Sequence, residues 1–244
     1  MPRLRLDQLL VQRGLCDSRE QAKRLILAGE VVVEGQGKLK PGANVAEDAE
    51  IQIKEKPKYV SRGGLKLEGA LKAFEVDPRG RVGVDIGSST GGFTDCLLQA
   101  GAERVFAFDV GTNQLVWKLR DDPRVVSREK FNCRNLTAED VGEPAGIVVI
   151  DVSFISLTKI PPAAFSVLAP DGDLVCLIKP QFELDRADIG KGGIVREPEL
   201  HEKAVAKIEK FVTEELNKQW RGLTDSPITG TDGNREFLAW IRHE

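Results

Sequence analysis

The sequence predicts an α/β protein, with a doubly wound, mostly parallel sheet preceded by a small α+β module. Three observations carry this expectation. From Arg81 onward, short apolar runs alternate with helix-length segments. The first of these runs passes into a helix through a Gly-rich loop. The residues before position 59 follow a different pattern, two helices and then short strands.

In the front module, Leu6, Leu9 and Leu10 share one helical face. Ser18 opens a second helix as a capping box, its hydroxyl accepting from the backbone at Gln21 while the Gln21 side chain reaches back. Ala22, Leu25 and Ile26 face inward on that helix, Gly29 ends it, and Arg19, Lys23 and Arg24 fall on its outer side. Val31–Val33, the Gly35 and Gly37 turn, and Ile51–Ile53 form a small β element. Lys54–Lys58, broken by Pro57, closes the module. The expected division is a front domain over 1–58, a linker over 59–64 and a larger domain over 65–244, opening on a helix at 65–75.

In the larger domain the expected strands are Val82–Ile86, Arg104–Phe108, Val125–Ser127, Ile147–Ile150, Leu174–Ile178, a stretch at 220–228 and Glu236–Ile241. A helix is expected over Glu199–Leu216. Strands separated by helix-length segments pair in parallel through crossovers.

Composition narrows the function classes. The chain has 244 residues with a formal charge of −3, but the charge is uneven. Residues 1–66 carry 13 basic against 9 acidic side chains, and the remainder 22 against 29. A basic front on an acidic body suits an anionic partner. No apolar run reaches the ~20 residues of a membrane span, and charge interrupts the N-terminus too early for a signal-peptide core. Cys16, Cys96, Cys133 and Cys176 have no disulfide or metal-binding spacing. His201 and His243 are the only histidines, which disfavours a histidine-centred site. A reduced, cytoplasmic protein without membrane or metal partners is expected.

The chemistry concentrates at the expected strand ends. In Val84–Phe93 the residues Gly87, Ser88, Ser89, Thr90, Gly91, Gly92 and Phe93 form a loop that lets backbone approach a ligand at the crevice where such sheets bind. The loop lacks the Lys-Ser/Thr ending of a phosphate loop. Asp85 precedes it, which suits a cofactor with an amino-acid end. Asp109, followed by Val110, ends the second strand, where a carboxylate can take both ribose hydroxyls of an adenosine. Together these favour S-adenosylmethionine over a dinucleotide. Asp151 and Lys179 end two further strands at the same edge, as a site above the cofactor or as a structural ion pair. Taken singly, Glu236 and Lys66 read as solvated charges.

The segments Ser61–Leu67, the loop at 87–95, Phe108–Gly111, Asp151–Leu157, Lys179–Glu183 and Gly233–Glu236, in this order and spacing, resemble the TlyA family almost throughout the chain. Members are often labelled haemolysins and include ribosomal RNA cytidine-2′-O-methyltransferases. The resemblance implies an S4-type RNA-binding domain in front of a Rossmann-like class I methyltransferase domain of the FtsJ/RrmJ kind, with S-adenosylmethionine as cofactor and ribosomal RNA or a ribosomal subunit as partner. The catalytic tetrad of that class falls on Lys66, Asp151, Lys179 and Glu236. The chain ends directly after its last expected strand, like the short members that modify the large subunit.

This chemistry is coherent. A ribose hydroxyl is a poor nucleophile while a sulfonium methyl is already activated, so alignment and proton removal are the enzyme's task. Lys179, desolvated and near Lys66, would stabilise the alkoxide or take its proton, with Asp151 and Glu236 holding the lysines. No Asn/Asp-Pro-Pro-aromatic run and no Pro-Cys is present, so amino and base-carbon methylation are disfavoured. Phosphate contacts are expected from Arg3, Arg5, Arg19, Lys23, Arg24 and Arg62. The alternatives are a non-catalytic RNA-binding factor and a membrane-active haemolysin.

Overall fold

The computed structural model describes residues 2–53, 57–190 and 192–243. Residues 54–56, part of the expected closing segment of the front module, lie outside them. The chain divides into two compact units, Met1–Pro57 and Lys58–Glu244.

The first unit runs β1 (Arg3–Arg5), α1 (Leu6–Gln12), α2 (Arg19–Ala28), β2 (Val31–Val33), β3 (Asn44–Ala46) and β4 (Ile51–Ile53). Its core is made by Leu6, Leu9, Leu10, Ala22, Ile26, Val33 and Val45. β2 pairs antiparallel with β4, Val31 opposite Ile53. β1 and β3, absent from the sequence reading, pair antiparallel with Leu4 opposite Val45. The Ser18 hydroxyl accepts from the Gln21 N–H at 3.2 Å. The Gln21 side chain reaches back one residue further than a capping box requires, accepting from the Asp17 N–H at 2.9 Å.

The second unit begins earlier than expected. Tyr59 is buried in its core, the Val60 N–H donates to Asp95 Oδ2 at 2.9 Å, and α3 (Gly63–Phe74) has already started at Gly63. Residues 59–64 are therefore packed against this unit rather than forming a free linker. The chain continues through β5 (Val82–Ile86), α4 (Gly92–Gln99), β6 (Arg104–Phe108), α5 (Trp117–Arg120), β7 (Val125–Arg128), α6 (Ala138–Val141) and β8 (Ala145–Ile150). It closes with α7 (Pro161–Val167), β9 (Leu168–Ile178), α8 (Pro180–Glu183), α9 (Pro198–Lys210), β10 (Gln219–Asp225) and β11 (Phe237–Arg242).

The seven strands form one sheet in the order β10-β11-β9-β8-β5-β6-β7. Strands β5 to β9 are parallel, whereas β11 runs antiparallel to β9, and β10 to β11. Both faces of the sheet are covered, and side-chain alternation splits the core in two. Val148 and Ile150 of β8 face one cluster with Ile208 and Ala164. Ile147 and Val149 face the other, with Leu67, Leu97 and Leu238. Strand order reverses at β5, which connects onward to β6 on one side and pairs with β8 on the other. That reversal opens a crevice at the carboxyl ends of the strands.

Candidate active site

The Gly-rich loop is pinned to its neighbours by backbone bonds. The Gly87 and Ser88 N–H groups donate to the Phe108 carbonyl at 2.9 and 3.1 Å, and the Asp151 N–H donates to the Ile86 carbonyl at 2.9 Å. Gly87 has φ +85°, and a Cβ there would overlap the Asp151 carbonyl oxygen. Only glycine lets this turn sit against the end of β8.

The acids around the loop have different tasks. Asp109 Oδ2 accepts from the Ser89 N–H at 2.7 Å, and its Oδ1 accepts from the Gly111 N–H at 2.6 Å. Asp85 is fully buried. Its Oδ2 accepts from the Thr94 hydroxyl at 2.6 Å, and its Oδ1 has no hydrogen-bond partner among the described residues. Burial pushes its carboxyl up to about 7 against the opposing Thr94 hydrogen bond, and the nearby Asp151 and Asp109 charges add to the rise.

Two cavities meet at the crevice. One of about 380 Å³ is lined by Lys66, Asp151, Lys179 and Glu236, together with Gly87, Ser88, Ser89, Thr90, Gly92, Phe93 and Arg62. The other, of about 480 Å³, is lined by Asp109 and Val110, with Phe131, Ile155 and Ile160 as apolar wall. Gly87, Ser89, Asp151 and Ser153 belong to both. Two of the residues expected at the cofactor line neither cavity. Asp85 lies behind the loop, bonded to Thr94. Gly91 faces Leu115 and Leu119, which leave no room for a side chain.

The four charges of the first cavity form two pairs. Lys66 on α3 binds Glu236, and both are buried. Lys179, at the end of β9, lies 2.6 Å from Asp151 Oδ1, at the end of β8. That contact lies off the hydrogen-bond direction; the directed bond from the Lys179 ammonium goes to Ser153 Oγ at 2.8 Å. The arrangement holds two cations, each with its own carboxylate, on the wall of one polar cavity.

Sequence reasoning assigned no role to several residues here. Ser153 holds Lys179. Phe154 is 91% exposed, in a left-handed conformation with φ +63°, and its ring packs on Phe182 at 5.2 Å. Glu183 is buried and accepts from the Ser156 hydroxyl and the Leu157 N–H, both at 2.6 Å, which fixes the segment after Asp151. Buried Asn234 accepts from the Val195 N–H at 2.9 Å and donates to the Gly193 carbonyl at 3.0 Å, tying the chain before Glu236 to the 193–195 loop. The sequence signal for these residues was their presence within the quoted motifs; their partners lie too far along the chain for local pattern to show.

The basic residues divide between the units. In the first unit, Arg3 donates to the Asn44 carbonyl at 2.9 Å, Lys23 pairs with Glu20 at 2.8 Å, and Arg24 is exposed. Arg5 and Arg19 converge on Asp7, at 2.9 and 3.1 Å. In the second unit, Arg62 lies at the first cavity and donates to the Thr229 carbonyl at 3.4 Å. Among the described residues, no helix is long and apolar enough to cross a membrane.

Comparison with known proteins agrees with this geometry. The FtsJ-like methyltransferase family matches residues 59–243, and the S4 domain matches residues 4–51. The chain is 51% identical to YqxC of Bacillus subtilis, described as a candidate rRNA methyltransferase, over 97% of this chain and 85% of that one. It is 43% identical to the 16S/23S rRNA (cytidine-2′-O)-methyltransferase TlyA of Mycobacterium tuberculosis, over 98% of this chain and 90% of that protein. A solved structure from Streptococcus thermophilus, described as a candidate hemolysin, is 48% identical with a TM-score of 0.75, covering 100% of this chain and 89% of that one. The chain belongs to the FtsJ-like methyltransferase family and, with its S4 domain in front, to the TlyA group within it.

Proposed function

We propose that this protein transfers a methyl group from S-adenosylmethionine to the ribose 2′-hydroxyl of a cytidine in ribosomal RNA, with large-subunit RNA as the first substrate to test. The observation that carries this is the convergence of Lys66, Asp151, Lys179 and Glu236 on one cavity that opens onto the Gly-rich loop. The Mycobacterium relative, named for cytidine-2′-O-methylation, supports the choice of oxygen and of base.

The residues present fit the cofactor. The side-chain-free turn at Gly87 allows close approach of a ligand. Asp109 rims the second cavity, where its carboxylate can accept a ribose diol besides the two amides it already holds. Phe131, Ile155 and Ile160 offer an apolar wall to a purine. When bound, S-adenosylmethionine supplies a sulfonium methyl that is already electrophilic.

The chain's own groups then position the hydroxyl and move its proton. Lys179 Nζ is the atom that meets the reacting oxygen; having first released one of its own protons to solvent, the neutral amine takes the hydroxyl's and returns to the ammonium. Asp151 and Ser153 hold that nitrogen in place, and Asp151 neutralises the charge it gains. Lys66, fixed by Glu236, puts a second cation on the cavity where negative charge develops. The exposed Phe154 ring, backed by Phe182, offers a stacking surface to an unstacked base. Arg3, Arg5, Arg19, Lys23 and Arg24 of the S4 domain, and Arg62 beside the cavity, contact phosphates.

The test is tritiated methyl transfer to ribosomal RNA or subunits, followed by nuclease mapping, since a 2′-O-methyl group blocks cleavage at its own linkage. Lys179→Ala is expected to fold, to bind cofactor and RNA, and to lose methyl transfer by a factor on the order of 10² or more. A methyl group on the base would overturn the oxygen assignment. A fully active Lys179→Ala protein would overturn the role of that lysine, and an inactive parent that binds RNA tightly would favour a non-catalytic factor.

A further inference from the structure

Asp7 has no place in the catalytic chemistry. It sits in the first turn of α1, flanked by the core residue Leu6, and is 0% exposed. Desolvation of its carboxylate is more than offset by the arginines that cover it. What Asp7 does is gather two arginines from two other elements. Arg5, the last residue of β1, donates through Nε to Oδ1 at 3.0 Å and through Nη2 to Oδ2 at 2.9 Å. Arg19, the first residue of α2, donates through Nη2 to the same Oδ2 at 3.1 Å. Both arginine side chains stay half-exposed, at 44% and 48%.

A guanidinium carries five N–H donors. Arg5 spends two on Asp7 and Arg19 one, which leaves three and four to be satisfied from outside this cluster. Sharing one carboxylate oxygen holds the two Nη2 groups within two hydrogen-bond lengths of each other. The cluster has a net charge of +1 on its exposed side, with the negative charge buried behind it. The Asp7 carboxyl is held down to about 2, chiefly by the Arg5 hydrogen bonds, against the cost of burial and with the single bond from Arg19 adding to them, so the arrangement stays charged at any working pH.

We infer that Asp7 is a positioning residue that fuses Arg5 and Arg19 into one receptor for a single RNA phosphate. The inference rests on the proposed RNA-binding role of the S4 domain and adds to it that the two arginines act as a unit. One phosphate accepts from both forks, while the buried carboxylate fixes their angle and spacing and removes much of the ordering cost on binding.

The consequence for Asp7→Asn runs against simple field strength. The variant removes a negative charge from an RNA-binding domain, so a long-range view expects tighter binding. Loss of the receptor geometry instead weakens binding about ten-fold. The measurement is filter binding of the full chain to purified large-subunit ribosomal RNA over a salt series, with cofactor affinity as a control that stays unchanged. Since Asp7→Asn leaves a buried site half-satisfied, Arg5→Lys and Arg19→Lys form a second arm that keeps every charge and loses only the fork. Each is expected to weaken binding about ten-fold, and the double variant to be no weaker than either single one. Losses that multiply in the double variant would overturn the shared receptor and leave the RNA-binding reading standing, as would equal or tighter binding by a folded Asp7→Asn. Unchanged binding by the Arg5→Ala, Arg19→Ala double variant would overturn both.

Discussion

Replacing Asp85 by Asn tests the link between the buried acid and the loop above it. An acid with a raised folded pKa holds its proton more tightly in the folded chain. Its contribution to stability is therefore complete below the ordinary value of 3.8 and is lost as the pH rises through about 7. A gap of about three pH units at about 1.4 kcal/mol each comes to about 4 kcal/mol in full. Between pH 5 and pH 8 the loss is about 2.5 kcal/mol. Asp85 is fully buried, so solvent screening does not reduce this figure. Asparagine still accepts from Thr94 but does not titrate. Its amide lacks an acceptor where Oδ1 stood alone, which costs about 1–3 kcal/mol at every pH. The variant is thus less stable than the parent at pH 5 and gains on it steadily toward pH 8. The assay is urea unfolding of both proteins at pH 5, 6, 7 and 8, read by the fluorescence of Trp117, Trp220 and Trp240, all in the second unit. A stability difference that stays constant to within about 0.5 kcal/mol across that range would refute the reasoning.

Three further outcomes follow from the site. Asp109→Ala removes the acceptor shared by the Ser89 and Gly111 amides, and calorimetry should show S-adenosylhomocysteine binding weakened at least ten-fold; equal or better binding of a nicotinamide dinucleotide by the parent would reverse the cofactor assignment. Gly87→Ala forces a side chain into the Asp151 carbonyl at a positive φ, so it should cost at least about 2 kcal/mol in unfolding experiments and abolish cofactor binding, and an undisturbed protein would contradict the packing. Lys23→Glu combined with Arg24→Glu should weaken RNA binding and lower its salt slope by up to about 2 without touching cofactor affinity; Arg19 is left out because an acid there would face Asp7.

The strands that bind the loop were readable to the residue, because Val82–Ile86 and Arg104–Phe108 are short apolar runs closed by Asp and Gly. β9 was read from Leu174 but begins at Leu168, since Pro170, Asp171 and Gly172 look like a turn and pair only through an irregularity opposite Ala145–Ile147. α9 was carried to Leu216, whereas the α-helix ends at Lys210 and a wider π turn, Phe211–Glu215, continues it. Asp85 was expected at the cofactor because a strand buried on both faces gives no polar alternation to show which side a residue takes. Gly91 was counted with the loop because glycine spacing does not separate ligand approach from tight packing. Lys66 and Glu236 stand 170 residues apart, and only the motif resemblance joined them. The Asp7 cluster was invisible because Arg5 and Arg19 read as separate phosphate contacts, and no local pattern joins either of them to Asp7.

On the proposed assignment of cofactor and RNA, the wall shared by the two cavities would couple their occupants. Gly87, Ser89, Asp151 and Ser153 face both spaces, so a ligand that shifts any of them on one side alters the surface offered on the other. Linkage makes this reciprocal: the factor by which RNA changes affinity for the cofactor is the factor by which the cofactor changes affinity for RNA. Asp151 is the natural place for that exchange, since it alone of these four carries a charge and is paired with the lysine of the reacting end. In the proposed reaction the spent cofactor has lost the sulfonium charge, so it would meet this shared carboxylate differently from a fresh one.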